Sequence, residues 1–353
     1  MIADENHATA DRKRDHLRIV LDEGGGTVSA STGFERYRLL HRALPDLDLA
    51  GIDTGLRFLG RDLRVPFLIS GMTGGVERGA DINRRLAEVA QAFGCAMGVG
   101  SQRVAIEDPT RGEFFRVRDR APDILLFANL GAAQLNAGYG IDECRRAVEM
   151  IEADALVLHL NPLQEALQAD GNTNWAGLLP RIESVCAALG VPVIAKEVGW
   201  GISGPVARQL AGAGVAAIDV GGAGGTSWSE IERRRAPSDH LRRVCGAFAG
   251  WGIPTADSVA MARAACPEIP IIASGGMRSG VEAATAMALG ADLAGFAAPL
   301  LRAAAESVEA AHDLMAALVA ELRIAMFCTG AGTLAQLAQA DVVLAASTER
   351  DGS

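Results

Sequence analysis

The stretch Ala155-Leu156-Val157-Leu158-His159-Leu160-Asn161-Pro162-Leu163-Gln164-Glu165 decides how the rest of the chain is interpreted. Its first four residues form the apolar run that a buried strand requires, and this run ends directly in His, Asn, Gln and Glu. A strand made only for packing would end in turn residues such as Gly or Asp. A carboxylate beside an amide at a strand end suits a hard divalent cation or a proton transfer. We therefore expect a functional site there.

Eight apolar runs of this kind occur along the chain, and most precede a stretch with helical periodicity. They are nearly continuously apolar, as strands buried on both faces must be. The runs span residues 65–70, 95–100, 124–129, 155–159, 192–196, 216–220, 270–274 and 293–297. Helical stretches span residues 82–93, 142–151, 175–189, 205–213 and 280–289. Eight β-then-α units predict an α/β fold, a closed (β/α)8 TIM barrel; a doubly wound open sheet is the alternative.

The sequence predicts a single domain over residues 1–353, in three parts. An N-terminal extension, residues 1–62, has a helical pattern over 12–21. The barrel follows over residues 63–302, and a C-terminal helical tail, residues 303–353, begins with a long helix over 303–322. The segment 221–252 is unusually long for a loop inside a barrel, which indicates a lid or rim element.

Composition and charge exclude several classes of function. A net charge of −10 argues against wholesale binding of nucleic acid. No apolar stretch reaches the length of a membrane span, because the nearest candidate, residues 283–301, carries Asp292. The first 15 residues lack the apolar core of a secretory signal, and the six cysteines show no C-x-x-C spacing. These features predict a cytoplasmic protein with neither a membrane nor a nucleic-acid partner.

Glycine-rich loops follow the last three strands. Residues 275–280 and 295–299 come after strands seven and eight, where barrels of this kind commonly bind phosphate through backbone N–H groups and a helix N-terminus. Glycine allows the backbone to approach the anion closely. Residues 221–227 form a similar loop after strand six, in which Thr226 offers a hydroxyl. The alternative is that these are ordinary βα turns and a flexible hinge.

Other candidate residues follow the first five strands. Lys196 interrupts an apolar run, and because an unpaired buried ammonium is costly it either pairs with a carboxylate or neutralises an anionic cofactor. Residues 71–75, 101–103 and 129–131 are small or hydrogen-bonding and lie where a planar heterocycle could cover the barrel mouth. The basic residues 12–14 and His16 either form a solvated helix or clamp a phosphate-bearing substrate.

Nine motifs, in this order, resemble those of the type 2 isopentenyl-diphosphate isomerases, flavoproteins of the FMN-binding (β/α)8 class. The similarity runs from about Arg12 to Leu334. The motifs are Arg-Lys-x-x-His (12–16), Met-Thr-Gly-Gly (72–75), Gly-Ser-Gln-Arg (100–103), Asn-Leu-Gly (129–131), His-Leu-Asn-Pro-Leu-Gln-Glu (159–165), Lys-Glu-Val-Gly (196–199), Gly-Gly-Thr-Ser-Trp (224–228), Trp-Gly-Ile-Pro-Thr (251–255) and Ala-Ser-Gly-Gly (273–276).

The resemblance implies conversion of isopentenyl diphosphate to dimethylallyl diphosphate in isoprenoid biosynthesis, with reduced FMN, NADPH as the reductant and Mg2+ on the diphosphate. It implies that Glu165 is the metal ligand and that substrate contacts come from Arg12, Lys13, Ser101, Gln102, Arg103 and Gln164. FMN would be held by Gly71, Met72, Thr73, Ser101, Asn129, Lys196, Thr226, Gly275, Gly276, Met277, Ala297 and Ala298. Gln164, His159 and Asn161 are the candidate catalytic residues, with Gln164 positioning or relaying a proton because a neutral amide is a poor base. Relatives suggest a homo-oligomer, a tetramer or octamer.

Two departures and several alternative functions accompany this resemblance. The family's Gly-Asp after the Gln-Glu pair is Gly171-Asn172 here, and an arginine that the family carries near the C-terminus is missing from residues 329–333. The chain could instead be an FMN-dependent reductase or isomerase of a different prenyl diphosphate. A 2-hydroxy-acid oxidase would need His240, Arg242 and Arg243 as its base and carboxylate ligands. A flavin- or phosphate-binding sensor is the non-enzymatic alternative.

Overall fold

The computed structural model describes residues 14–21 and 30–345 and shows a closed barrel of eight parallel strands. In chain order the strands are β1 (Phe67–Ile69), β2 (Ala96–Gly98), β3 (Leu126–Gly131), β4 (Ala155–Leu160), β5 (Val193–Glu197), β6 (Ala217–Asp219), β7 (Ile271–Ser274) and β8 (Leu293–Phe296). Each strand pairs with its sequence neighbours, and β8 pairs with β1 to close the ring. The predicted TIM barrel is confirmed, and the open sheet is excluded.

Helices surround the strands, and their positions confirm the predicted helical stretches to within a few residues. They span residues 14–21, Glu77–Phe93, Arg103–Glu107, Ile141–Ile151, Pro162–Leu167, Leu178–Ala188, Gly204–Gly212, Trp228–Arg235, Asp239–Ala247, Thr255–Ala265, Gly280–Ala288, Ala298–Glu306, Val308–Thr329 and Leu334–Leu337. The second unit differs from the others, because a short helix and the 3-10 turn Pro109–Phe115 replace a long helix there.

Two apolar cores hold the barrel together. The larger lies between the strands and the surrounding helices, and the smaller fills the interior near the amino ends of the strands. A hairpin formed by Leu56–Phe58 and Arg61–Leu63 contributes Phe58 and Leu63 to the inner core. Because the hairpin covers the amino end, the open mouth of the barrel is at the carboxyl ends of the strands, where active sites of this fold lie.

Two sequence predictions about the outer segments are wrong in detail. The tail has no single helix over 303–322, because the chain breaks at Ser307, whose hydroxyl accepts the backbone N–H of Ala310 and caps a second helix. The chain segment 221–252 is not a long loop, since Ser227 and Ser238 likewise cap the helices Trp228–Arg235 and Asp239–Ala247. The strand Val342–Leu344 in the tail pairs with Tyr37–Leu39 and ties the extension to the tail.

A helix needs about 20 mostly apolar residues to cross a bilayer. Within residues 14–21 and 30–345, no helix combines the length and apolar character needed to span a membrane.

Candidate active site

The carboxyl ends of the strands open onto two adjoining cavities. The first, called the amide cavity, is lined by the polar side chains of Asn129, Gln134, His159, Asn161, Gln164, Glu165 and Gln168, together with Ser101 and Arg103. The second, called the glycine cavity, is lined by Gly221, Gly222, Gly225, Gly275, Gly276 and Gly295. Both cavities share Gly71, Met72, Lys196, Val198 and Trp228. The side chain of Lys196 therefore lies at their boundary.

The end of β4 organises the amide cavity. Pro162 begins the helix Pro162–Leu167, and Asn161 precedes it without capping it. Its amide Nδ2 instead donates to Gln164 Oε1 at 3.1 Å and to Glu165 Oε1 at 2.9 Å. His159 Nδ1 lies 2.9 Å from Asn129 Oδ1, which fixes the ring orientation. One strand end and one helical turn thus bring four polar side chains together, as the sequence predicted.

Glu165 has the surroundings of a ligand for a hard cation. It is only 8% exposed, and its Oε2 accepts the backbone N–H of Asn172 at 2.6 Å. The Asn172 departure therefore leaves this backbone contact intact. Asn161 Oδ1 is buried and has no hydrogen-bond partner among the described residues. A carboxylate oxygen of Glu165 and Asn161 Oδ1, beside a cavity with space for a phosphate ester, suit Mg2+. This ion usually takes one or two carboxylates, water and substrate phosphates.

In the part of the chain that the structure describes, no group of three His, Cys, Asp or Glu side chains could hold an ion. A structural zinc or a dinuclear site would need such a group. A metal held by Glu165 and Asn161 Oδ1 would complete its coordination with oxygens of water and substrate.

Sequence analysis missed Glu232, which lines neither cavity but contacts two residues that line the amide cavity. It is 3% exposed, and its Oε1 lies 3.1 Å from His16 Nε2 and accepts Gln164 Nε2 at 3.3 Å. Burial would raise the pKa of Glu232, but the hydrogen bonds from His16 and Gln164 and the charge of Arg235 hold it below its usual value. The sequence signal was weak, because Glu232 lies in a charged run, 230–235, that is typical of a solvated helix face.

The glycine cavity is built from backbone. Gly275 and Gly276 adopt φ values of +109° and +77°, which L-residues rarely tolerate. A Cβ on Gly275 would lie 2.1 Å from the carbonyl oxygen of Gly222, and one on Gly276 would lie 2.5 Å from the backbone of Gly224. The loops after β6 and β7 therefore pack backbone to backbone.

A helix N-terminus and two cations complete this cavity. The helix Ala298–Glu306 begins at Ala297, which provides no side-chain cap, and has Pro299 in its first turn. Its first N–H groups are thus left for another acceptor. Arg278 and Arg302 also line the cavity. Bare N–H groups, a helix N-terminus and guanidinium groups together suit a phosphate.

Lys196 is held by three neighbours at the boundary between the cavities. Its Nζ donates to the carbonyl oxygen of Glu197 at 2.7 Å and lies 3.4 Å from Ser274 Oγ and 3.6 Å from Asp219 Oδ2. The first alternative is therefore confirmed, because Lys196 has a buried carboxylate partner. The second, that it neutralises an anionic cofactor, stays a prediction, and Lys196 lines both cavities. A cation here is positioned beside any anionic ring that bridges them.

The structure brings nearly all the predicted site residues to these cavities. Gly71, Met72, Thr73, Ser101, Arg103, Asn129, His159, Asn161, Gln164, Glu165 and Lys196 line the amide cavity, and Thr226, Gly275, Gly276, Met277, Ala297 and Ala298 line the glycine cavity. Arg12 and Lys13 lie outside the described residues. His16, Leu17 and Val20, which follow them, line the amide cavity.

Gln102 differs from its predicted role as a substrate ligand. Its side chain is fully buried and does not line either cavity. Its Nε2 donates to the carbonyl oxygen of Ala147 at 2.8 Å, and its Oε1 accepts the backbone N–H of Asn129 at 2.9 Å. With both ends of the amide occupied, Gln102 supports the strand end that carries Asn129 and leaves no side-chain group for substrate.

The residues that an oxidase would require lie elsewhere. His240, Arg242 and Arg243 are exposed on the helix Asp239–Ala247 and line neither cavity. Arg242 pairs with Asp239 of the same helix at 2.6 Å. These side chains cannot serve as the base and carboxylate ligands of this mouth as it is arranged.

Solved structures share this barrel. A mandelate oxidase variant with a monooxide FMN adduct matches with a TM-score of 0.63 and 19% identity, over 95% of this chain and 100% of that one. A protein described as a lactate oxidase of Pediococcus acidilactici matches with a TM-score of 0.65 and 17% identity, over 95% and 94% of the two chains. At these identities the likeness shows the fold alone.

Sequence comparison is more specific. The model of the FMN-dependent dehydrogenase family matches residues 144–344. The isopentenyl-diphosphate delta-isomerases of Xanthobacter autotrophicus and Stutzerimonas stutzeri are both 57% identical to the chain, over 92% and 93% of it and 94% and 95% of their own lengths. That of Nostoc sp. is 54% identical over 93% of this chain and 94% of its own. The chain therefore belongs to the type 2 isopentenyl-diphosphate delta-isomerase family.

Proposed function

We propose that the protein converts isopentenyl diphosphate to dimethylallyl diphosphate, with FMN in the reduced state and Mg2+ on the diphosphate. The observation that carries this proposal is the pairing of the two cavities across Lys196. One cavity offers amide and carboxylate side chains, and the other offers bare backbone suited to a phosphate. A 2-hydroxy-acid oxidase would instead need a histidine base with paired arginines for the carboxylate, and a simple phosphate binder has no use for the amide and carboxylate groups.

The glycine cavity would hold the FMN phosphate through the loops after β7 and β8, and the ring would lie over Met72, Thr73 and Asn129 beside Lys196. When bound, reduced FMN supplies an electron-rich ring that stabilises positive charge and carries exchangeable protons. NADPH is the reductant we expect. The ammonium of Lys196 favours the anionic form of a ring placed beside it.

Substrate orientation falls to the amide cavity. Glu165 would hold Mg2+ against the diphosphate, and the guanidinium of Arg103, already paired with Glu107 at 2.6 Å, lines the same space. Arg12 and Lys13 would add positive charge from the preceding segment. Binding energy from the diphosphate then orients a small alkene that offers no polar handle of its own.

The allylic proton shift requires donors and acceptors held in fixed orientations. Gln164 is held at both ends, with its Oε1 on Asn161 and its Nε2 on Glu232, so its amide cannot rotate freely. His159 has its Nδ1 directed to Asn129. These residues would position the alkene and exclude competing water, with Gln164 relaying rather than abstracting a proton.

Product analysis under anaerobic conditions tests the proposal. Protein loaded with FMN, reduced by NADPH or dithionite and given Mg2+ is expected to form dimethylallyl diphosphate, whereas the oxidised or EDTA-treated protein is expected to be inactive. Flavin oxidation in proportion to product would instead indicate a prenyl-diphosphate reductase. A location in the cytoplasm and assembly as a homo-oligomer are part of the same proposal.

A further inference from the structure

A buried carboxylate, that of Asp219, lies beneath the barrel mouth. Asp219 is the last residue of β6 and is 1% exposed. It lines neither the amide cavity nor the glycine cavity. Removing a carboxylate from water is costly unless it is paired and hydrogen-bonded. The partners of Asp219 therefore indicate what the residue does.

The two oxygens of Asp219 have different partners. Oδ1 accepts the hydroxyl of Ser274, at the end of β7, and the backbone N–H of Gly221 at 3.3 Å. Oδ2 lies 3.6 Å from Lys196 Nζ. Lys196 and Asp219 are paired in register across β5 and β6, so their side chains start from adjacent positions. One oxygen is thus fixed by the protein, and the other faces the cation at the boundary between the cavities.

Two other carboxylates show what a structural role requires in this barrel. Asp154 and Asp292 each accept a backbone N–H of the neighbouring strand, at 2.9 Å and 2.7 Å, at the amino ends of β4 and β8. Their cations, Arg118 and Arg263, line neither cavity. The cation that faces Asp219 lines both cavities. Its pairing therefore connects Asp219 to whatever the mouth binds.

The pair presents a reduced positive charge to the mouth. Of the three neighbours of Lys196 Nζ, the carbonyl oxygen of Glu197 and the hydroxyl of Ser274 are neutral groups, and Asp219 is a carboxylate. Asp219 lies behind Lys196, because only the lysine reaches the cavities. An anion in the mouth is therefore attracted by the nearer ammonium and repelled, more weakly, by the carboxylate behind it.

A reduced flavin ring is the ligand on which this balance acts. Transfer of a hydride from NADPH adds two electrons and one proton to the neutral ring, which leaves NADP+ and a ring with one negative charge. Lys196 stabilises that charge, and Asp219 opposes it. A ring beside the pair is consequently stabilised less on reduction than a ring beside a lone lysine, and more of its electron density stays available to stabilise positive charge.

We propose that Asp219 is a positioning residue that holds the ammonium of Lys196 at the boundary between the cavities and offsets part of its charge. This assignment rests on the proposed function, because it requires a flavin ring beside Lys196. It adds to the expected cofactor contact of Lys196 a buried partner that sets the strength of that contact. The reduced ring then remains electron-rich, as an allylic proton shift without net oxidation requires.

Midpoint potentials of the FMN-loaded protein test the assignment. Asp219→Asn keeps the shape of the side chain but removes the charge, so the affinity for reduced relative to oxidised FMN should rise about tenfold. For a two-electron couple, this change moves the potential by about 30 mV in the positive direction. Lys196→Gln should move it in the negative direction. The double variant, which removes both charges, should lie between the single variants. Equilibration with reference dyes measures each potential.

Asp154→Asn is the matched control, because it removes another carboxylate that joins a backbone N–H to a cation. It should lower the melting temperature of the apo-protein and leave the flavin potential unchanged. Asp219→Asn should also lower the melting temperature, since it leaves the ammonium of Lys196 without its anion, and the double variant should recover part of this loss. A shifted potential would then not be a by-product of lower stability.

The outcomes separate this assignment from the proposed function. An unchanged or more negative potential in Asp219→Asn would overturn the assignment and leave the proposed function standing. If Asp219→Asn does not fold, the double variant decides, because a potential equal to that of Lys196→Gln would equally overturn the assignment. An apo-protein of Asp219→Asn as stable as wild type would show that Asp219 does not hold the ammonium. Failure of the wild-type protein to take up any flavin would overturn the proposed function and this assignment with it.

Discussion

The two halves of the barrel mouth recognise ligands by different means. The half after β3 and β4 uses side chains, and the amide of Asn161 donates to both Gln164 and Glu165 within 3.1 Å. The half after β6, β7 and β8 uses backbone, with glycine loops packed so closely that a Cβ on Gly275 would lie 2.1 Å from its neighbour. Side-chain functional groups can perform chemistry, whereas backbone N–H groups bind an anion without taking part in the reaction.

This difference predicts how each half responds to substitution. In the side-chain half, an isosteric change that removes one charge should impair turnover and leave cofactor affinity intact. In the backbone half, one added methyl group should impair cofactor affinity, because the polar groups are the backbone itself. The predictions below test this contrast from the largest expected effect to the smallest.

Glu165→Gln should cause the largest loss of activity. It keeps the shape of the side chain but removes the charge that would hold Mg2+, so kcat/KM should fall by about 10³-fold, on the order of 4 kcal/mol. FMN content should be unchanged, because Glu165 does not line the glycine cavity. Steady-state rates over a Mg2+ titration measure the loss.

The control for this charge change is Glu149→Gln, an exposed glutamate on the helix Ile141–Ile151. It should have wild-type activity and metal dependence. Unchanged Mg2+ dependence in Glu165→Gln would remove Glu165 from the metal site, and a loss of FMN would contradict the separation of the two halves.

Gly276→Ala should weaken FMN binding by about 100-fold. Its Cβ would lie 2.5 Å from the backbone of Gly224, so the loops that form the phosphate site must separate. The φ of +77° adds about 1–2 kcal/mol of strain for an alanine. Flavin titration of the apo-protein measures the affinity, and circular dichroism confirms that the barrel is retained.

The control variant Gly190→Ala separates the cost of backbone strain from the cost of a Cβ that crowds neighbouring backbone. Gly190 has a nearly identical φ of +83°, but a Cβ there has no neighbour within 4 Å. This variant should lose stability and keep FMN affinity. If Gly276→Ala also kept its affinity, the backbone half would not be the phosphate site.

Glu197→Gln should change the stability of the protein by a smaller, pH-dependent amount. Glu197 follows Lys196, which lies at the boundary between the halves. Burial raises the pKa of Glu197 from its ordinary value of 4.5 to about 7, although its Oε2 accepts the backbone N–H of Gly199 at 2.7 Å and of Trp200 at 2.5 Å. The folded protein thus binds more protons than the unfolded chain between pH 4.5 and 7. The contribution of Glu197 to stability therefore falls as pH rises through that window and is constant above it.

The variant lacks this titration. Relative to wild type, Glu197→Gln should gain on the order of 2 kcal/mol between pH 4.5 and 7, with no further gain above pH 7. Urea unfolding at several pH values measures the difference. A constant difference between the two proteins would show that Glu197 stays ionised throughout.

Much of the barrel and of its mouth was predictable from local sequence. The eight apolar runs each end in glycine or polar residues, and parallel strands bring those ends to one edge, so His159, Lys196 and Gly275 had to be near neighbours. Lys196 could be assigned to the mouth because a lysine in an apolar run needs a partner. These inferences need only strand periodicity and the cost of burying charge.

The rest depended on contacts that local patterns do not contain. Glu232 lies in a charged run, and only the packing of the helix Trp228–Arg235 brings it into contact with Gln164 and His16 of the amide cavity. Gln102 belongs to a motif of polar residues, but its amide is used by the backbone of neighbouring strands.

The smallest expected effect on turnover comes from substitutions in the helix Asp239–Ala247, on the rim outside both halves. His240→Ala and Arg242→Ala should each change turnover less than about twofold, because both side chains are exposed and line neither cavity. Arg242 contributes one ion pair to Asp239 within its own helix, which is worth less than about 1 kcal/mol at the surface. Steady-state kinetics with isopentenyl diphosphate measure the effect, and parallel assays with small 2-hydroxy acids measure oxidation.

A large loss of turnover in either variant would mean that the helix Asp239–Ala247 closes over the mouth during turnover. Oxidation of a hydroxy acid that depended on both side chains would contradict this division of roles, since chemistry would then come from the rim and not from the side-chain half.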